Sequence, residues 1–161
     1  MTTRQSLRAD YVAISLGACS LALILGALGF QYLGGLAPCE MCHWQRWQHI
    51  AAALIGLLGG GFLPRRYGVP VVMATILLIL TSGLIGLYQT GMQYHIVPGP
   101  QACTVDHAYI LGSGAPAAVR CDIPTWFFLG LAMPAWNAII SFVLAIGALV
   151  VLVRSGDAEK A

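Results

Sequence analysis

The chain has 161 residues, of which 58% are hydrophobic and only 9% charged, where a soluble domain carries about 25% charged residues. A surface that poor in charge cannot be wetted all round, so most of it must face lipid. The net charge of +2 is too small to point to nucleic acid, and no nucleic-acid partner is expected.

Four apolar segments follow one another, at about 11–33, 44–63, 69–90 and 134–153. Each holds about 20 residues, enough at ~1.5 Å per residue to cross a hydrocarbon core of ~30 Å. None contains Lys, Asp or Glu, and only the second contains an arginine, Arg46. Lipid offers no partner to backbone N–H and C=O groups, so each segment is expected to be a helix. Arg4 and Arg8 before the first segment give it the look of a secretory signal, whose apolar region is about 7–15 residues. The run here is longer and no convincing small-x-small cleavage site follows, so it reads as a retained span. Cys19 within it reads as a small packing residue.

The expected fold is therefore all-α: an integral membrane four-helix bundle forming a single domain over residues 1–161, with two outward-facing loops. Arg4, Arg8, Arg65, Arg66, Arg154 and Lys160 all fall on one side of it, which the positive-inside bias makes cytoplasmic, together with both termini. Arg46 and Arg120 lie on or near the other side.

The links differ in kind. Pro64-Arg65-Arg66-Tyr67-Gly68 is a tight basic turn. The outer loops cover about 34–43 and 91–133, and the second is long enough to be functional. Pro98-Gly99-Pro100 predicts a stiff bend and Gly112-Ser113-Gly114 a flexible centre. Residues 109–111 and 126–128 are apolar enough to rest on the membrane surface, and Trp44, Trp47, Trp126 and Trp136 are placed as an interfacial belt.

Cys39, Cys42, Cys103 and Cys121 all lie in these two outer loops, on the side where disulfides persist. Cys39-Glu40-Met41-Cys42 is a C-x-x-C motif at a helix start, where the dipole and free N–H groups stabilise a thiolate. Cys42, Gln45, Arg46 and His49 are spaced i, i+3, i+4 and i+7 and share one helix face. Arg46 is positioned to stabilise an anion, either the Cys42 thiolate or a reduced acceptor between helices; the alternative is an arginine snorkelling to lipid headgroups. Gln45 and His49 suit hydrogen bonds to an acceptor carbonyl, or polar contacts between helices. Cys103 and Cys121 enclose 17 residues. A disulfide there is either a staple worth about 3 kcal/mol or an exchangeable bond on an arm beside the C-x-x-C, and the relay reading is preferred.

Three other readings compete. Cys39 to His43 also spells C-x-x-C-H, the attachment motif of a c-type haem protein. Four cysteines can hold zinc, although no metal is expected in an oxidising compartment. A non-catalytic tetraspan scaffold braced by disulfides is the third.

Over about residues 11–153 the chain resembles the bacterial disulfide bond formation protein B (DsbB) family. The resemblance rests on the four spans, the C-x-x-C opening the second, an arginine four residues after its second cysteine, and two further cysteines in the second outer loop. The stretch from Trp126-Phe127-Phe128-Leu129-Gly130 through Met133-Pro134 to Trp136 is similar too. It implies a protein-dithiol:quinone oxidoreductase of the bacterial inner membrane, with its cysteine loops facing the periplasm. Such a protein reoxidises a periplasmic thioredoxin-like (DsbA-like) thiol oxidase and passes the electrons to ubiquinone or menaquinone. The partner would attack a Cys103–Cys121 disulfide at Cys103, electrons would pass to Cys39–Cys42, and Arg46 would hold the quinone beside the Cys42 thiolate. The loop between Cys103 and Cys121 is shorter than in better-known members. No family-type histidine ends the third span; Thr90 and Gly91 stand near that place, with His95 slightly later. Quinone reductases of the vitamin K epoxide type share the chemistry, but their extra cysteines precede the C-x-x-C.

Overall fold

A computed structural model describes residues 3–100, 103 and 119–157. The expected flexible centre at 112–114 and the apolar stretch at 109–111 lie outside the described residues.

Four helices make the body. The first runs Thr3–Tyr32, the second starts at Glu40–Leu54, the third is Gly68–Gln93 and the fourth Met133–Asp157. Three pass the length and hydropathy needed to cross a membrane, over Leu7–Tyr32, Arg65–Gln93 and Met133–Arg154. The second differs for a physical reason. Its first turns carry Gln45, Arg46, Gln48 and His49, and beyond Leu54 its winding changes to a π-helical stretch, Ile55–Gly59, before a last turn at Gly60–Phe62.

That change sits where the second helix crosses the first. A Cβ on Gly56 would fall 2.6 Å from Ala13 O, and one on Gly17 would fall 2.8 Å from Leu57 N. Backbones approach this closely only where small residues line the crossing, which is how helices associate in lipid. The third and fourth helices repeat the device: a Cβ on Gly86 would stand 2.8 Å from Pro134 O.

The packed interior divides in two. Ala13, Leu16, Ala52, Val72, Ile76 and Ala145 belong to an apolar cluster on the side of the basic turn. At the opposite end Cys39, Met41, Met92, Cys103 and Cys121 form a second buried cluster. Large apolar side chains such as Leu77, Val143 and Ile146 point outward, as a lipid-facing surface requires. Cys19 is exposed as well. It faces away from the bundle and does not pack inside it as expected, because the small residues chosen for the interior face are its neighbours Gly17 and Ser20.

The second outer loop ends in a small antiparallel hairpin, with Phe127 paired to Ala132 and Phe128 to Leu131. Its two central residues, Leu129 and Gly130, both have positive φ (50° and 78°), the requirement of a tight type I′ connection. Trp136 Nε1 donates to Phe128 O at 3.0 Å, and Phe30, Trp126, Phe128 and Trp136 form a chain of ring contacts. These aromatics tie the loop to the first and fourth helices.

Candidate functional site

The site begins at the cap of the second helix. Cys39 is its N-cap residue in extended conformation, and its Sγ accepts the backbone N–H of Cys42 at 3.4 Å. The C-x-x-C spacing thus places Cys42 one turn on, with the two sulfurs 2.7 Å apart, a little beyond the ~2.05 Å of a covalent disulfide. Glu40 sits in the first turn, where a carboxylate complements the helix dipole, and accepts from Trp44 Nε1 at 3.1 Å.

The second pair is brought onto the first. Cys121 N–H donates to Cys103 O at 3.0 Å, and Cys121 packs with Cys39 in one buried cluster. Cys39, Cys103 and Cys121 are all buried, while Cys42 is half-buried. Cys39 therefore neighbours both Cys42 and Cys121. Crowding of sulfurs has an electrostatic cost. Contact with Cys121, more than burial, pushes the Cys39 thiol above its ordinary value, although bonds from Cys42 pull the other way. Contact with Cys39 and then burial push the Cys42 thiol up. The cluster favours a single negative charge at a time.

Beside the sulfurs, between the first, second and fourth helices, opens a cavity of about 300 Å³. Cys39, Cys42, Gln45, Arg46 and His49 line it, with Ala27, Phe30, Met133 and Trp136 among its apolar walls. Arg46 does not reach out to the surface: Nη1 donates to Gln31 Oε1 and Nη2 donates to Ala27 O at 3.2 Å. Both acceptors are neutral, so the positive charge stays at the cavity wall. Arg120 also lines the cavity and pairs with Asp122 at 2.7 Å, and its hydrogen bonds hold the Asp122 carboxyl below the usual carboxylate range.

Gln45 and His49 are both cavity-lining and engaged between helices. Gln45 Nε2 donates to Gln89 Oε1 at 2.7 Å, and His49 contacts Asn137 Oδ1 at 2.9 Å and Ser20 Oγ at 3.3 Å. Sequence reasoning missed Gln31, Gln89, Gln93 and Asn137, all at the cavity or in hydrogen bonds with its walls. The signal available was the cost of an amide inside an apolar span, which marks functional positions by default. His95 lies past the third helix in left-handed conformation and is not among the cavity residues. Thr90 turns back to bond Gly86 O at 2.8 Å. His43 of the C-x-x-C-H reading is exposed.

A family model described as disulfide bond formation protein DsbB matches residues 9–151. The disulfide bond formation protein B of Aromatoleum aromaticum is 35% identical over 147 residues, covering 83% of this chain and 88% of that protein. That of Azoarcus sp. (strain BH72) is 33% identical over 125 residues, covering 72% and 75%. The one from Methylococcus capsulatus is 34% identical over 128 residues, covering 71% and 76%.

Proposed function

The chain belongs to the disulfide bond formation protein B family, and from that premise we propose that it reoxidises a periplasmic DsbA-like thiol oxidase and passes the electrons to a membrane quinone, ubiquinone or menaquinone. It would sit in the bacterial inner membrane as a single four-span domain, with both cysteine loops on the periplasmic side.

The observation that carries this reading is the meeting of four cysteines from two separate loops, three of them buried and Cys42 packed against them, beside an apolar cavity that Cys39 and Cys42 line. A staple or scaffold needs two sulfurs side by side; it has no use for a second pair touching the first. Exchange needs that contact. A reduced partner would attack Cys103 of the Cys103–Cys121 bond and free the Cys121 thiolate. Cys121 would then attack Cys39, forming a Cys39–Cys121 bond, breaking Cys39–Cys42, and leaving the electron pair on Cys42.

The cavity residues suit a quinone. The walls are mostly apolar, and the polar groups are few and convergent. Gln93 Oε1, one of the buried oxygens without a hydrogen-bond partner among the described residues, belongs to a cavity residue and can accept from a hydroxyl. When bound, a quinone supplies a lipid-soluble acceptor for two electrons and two protons. Arg46 holds positive charge beside it, Gln45 and His49 limit where a carbonyl can rest, and Cys42 presents its sulfur to the same space.

The direct test is quinone reduction by a reduced thioredoxin-like oxidase in the presence of the purified membrane protein. The reading predicts turnover that is abolished by replacing any of the four outer-loop cysteines with serine. Absence of quinone reduction in the wild-type protein would leave a scaffold, and turnover that survives Cys39→Ser or Cys42→Ser would take the C-x-x-C pair out of the relay.

A further inference from the structure

Beneath the sulfurs runs a line of hydrogen bonds that the exchange described above does not use. His49 Nε2 meets Asn137 Oδ1 at 2.9 Å. Asn137 Nδ2 donates to Gln45 Oε1 at 2.8 Å, and also to Ser82 Oγ at 3.1 Å and Ser82 O at 3.3 Å. Gln45 Nε2 donates to Gln89 Oε1 at 2.7 Å. Gln89 Nε2 donates to Cys39 Sγ at 3.3 Å and to Cys121 O at 3.3 Å, and stands 4.0 Å from Cys42 Sγ.

The direction of this line is fixed by chemistry. Ser82 O and Cys121 O are backbone carbonyls and can only accept, so Asn137 and Gln89 must each turn an N–H toward them. Gln89 then has only its oxygen for Gln45, and Gln45 only its oxygen for Asn137. The remaining Asn137 oxygen makes His49 Nε2 the protonated ring nitrogen, with Nδ1 facing Ser20 Oγ at 3.3 Å. Every dipole in the line points its hydrogen end at the sulfurs. Gln45, His49 and Gln89 are at most 7% exposed, and in so dry a setting aligned hydrogen bonds polarise one another and act strongly on a nearby charge.

We propose that Gln89 is a catalytic residue that stabilises thiolate charge at the junction of the two cysteine pairs, and that Gln45, Asn137 and His49 are positioning residues that hold its N–H on the sulfurs. The proposal rests on the exchange reading above. In that exchange the Cys121 thiolate bonds to Cys39, the Cys39–Cys42 bond breaks, and its electron pair leaves on Cys42. No proton or outside oxidant enters the step. Gln89 is anchored to the Cys121 carbonyl while its N–H faces Cys39 and Cys42, so a donor is already in place where the charge arrives.

The test isolates the C-x-x-C pair. In the full chain with Cys103→Ser and Cys121→Ser, the Cys121 backbone carbonyl is kept but relay and partner are removed, and no quinone is added. The readout is the pH midpoint of iodoacetamide alkylation at the reduced Cys39 and Cys42. Gln89→Leu is expected to raise the lower midpoint by about one pH unit, a tenfold loss of thiolate at fixed pH. Asn137→Leu, which touches neither sulfur, is expected to raise it by less but in the same direction. Gln89→Met keeps the length without a donor or a charge and should also raise it, which keeps the question answerable if Gln89→Leu does not fold. Midpoints unchanged or lowered in both Gln89 variants overturn the proposal, and an unchanged midpoint in Asn137→Leu removes the positioning role. Because the assay needs neither turnover nor a second disulfide, its failure is distinct from failure of the oxidase reading.

Discussion

Cys39 and Cys121 pack into one buried cluster across the two outer loops, and Cys121 is the neighbour that most raises the Cys39 thiol. The contact singles out one sulfur in each pair, since Cys39 also stands 2.7 Å from Cys42, while Cys103 is tied to Cys121 through its backbone oxygen. A bond that changes partners needs a sulfur within reach of both, and Cys39 has that position.

The double variant Cys42→Ser/Cys103→Ser is therefore expected to close a Cys39–Cys121 bridge on mild oxidation, as the main product in peptide mass mapping. The complementary variant Cys39→Ser/Cys121→Ser leaves Cys42, which lines the cavity, and Cys103, which does not. It should bridge at least about tenfold more slowly, because exchange requires direct access of one sulfur to the other. Equal rates would mean that the arrangement of the four sulfurs does not select the pathway.

Arg46 is predicted to act on acceptor binding and not on the cysteines' reactions with one another. Its guanidinium is held by Gln31 and by Ala27 O, at the cavity wall. Arg46→Ala should raise the apparent KM for quinone by about tenfold or more, the scale of one lost charge-assisted hydrogen bond. Bridging of Cys39 with Cys121 should stay near the wild-type rate. Arg46→Lys should recover little, because an ammonium lacks the planar fork that reaches two acceptors while facing the cavity. Unchanged quinone dependence in Arg46→Ala would take the residue out of the site.

How much of this was legible in the chain can be judged from particular residues. The apolar runs marked the four helices, and the i, i+3, i+4, i+7 spacing put Gln45, Arg46 and His49 on the face of Cys42, where the cavity opens. Arg46 was left open between an anion site and the lipid surface, because only the first helix, through Gln31 and Ala27, decides which way a long side chain turns. Gln89 and Asn137 carried no local pattern. Their partners lie 44 and 92 positions away from them in the chain, at Gln45, and only the packing of three helices brings the amides together. The hairpin was hidden for the opposite reason: Leu129 takes a positive φ that its side chain does not advertise. The outward position of Cys19 depended on which stripe of the first helix is buried, which a nearly uniform apolar segment does not announce.

The reduced cluster should show a pH signature. Contact with Cys39, then burial, pushes the Cys42 thiol up, and contact with Cys121 leads the causes that push Cys39 up. A raised value means that the protonated form persists to higher pH. With all four cysteines reduced, alkylation of Cys42 should therefore be half-maximal above the ~8.5 of a free cysteine. Cys39→Ser removes the leading cause and should lower that midpoint. A midpoint that rises or stays fixed in Cys39→Ser would show that neighbouring sulfur charge is not what governs Cys42.

The crossing of the first and second helices gives a prediction about stability. A methyl group on Gly56 would fall 2.6 Å from Ala13 O, with Gly17 Cα at 2.9 Å; these are backbone atoms, so relief requires the helices to part. Gly56→Ala is expected to cost about 1–3 kcal/mol, the range for overpacking a tight interior, and to lower the melting temperature in detergent. Gly147→Ala is the control. A Cβ there meets nothing within 4 Å, and the better helix propensity of alanine, up to ~1 kcal/mol, should leave the melting temperature level or slightly raised. The two substitutions are chemically identical and both lie in helical segments, so opposite outcomes isolate the close approach as the cause. Parting these helices would also shift Arg46 away from Gln31 and Ala27, so Gly56→Ala should raise the apparent quinone KM in the same direction as Arg46→Ala. A stable Gly56→Ala protein with unaltered quinone dependence would show that the crossing does not set the position of the arginine.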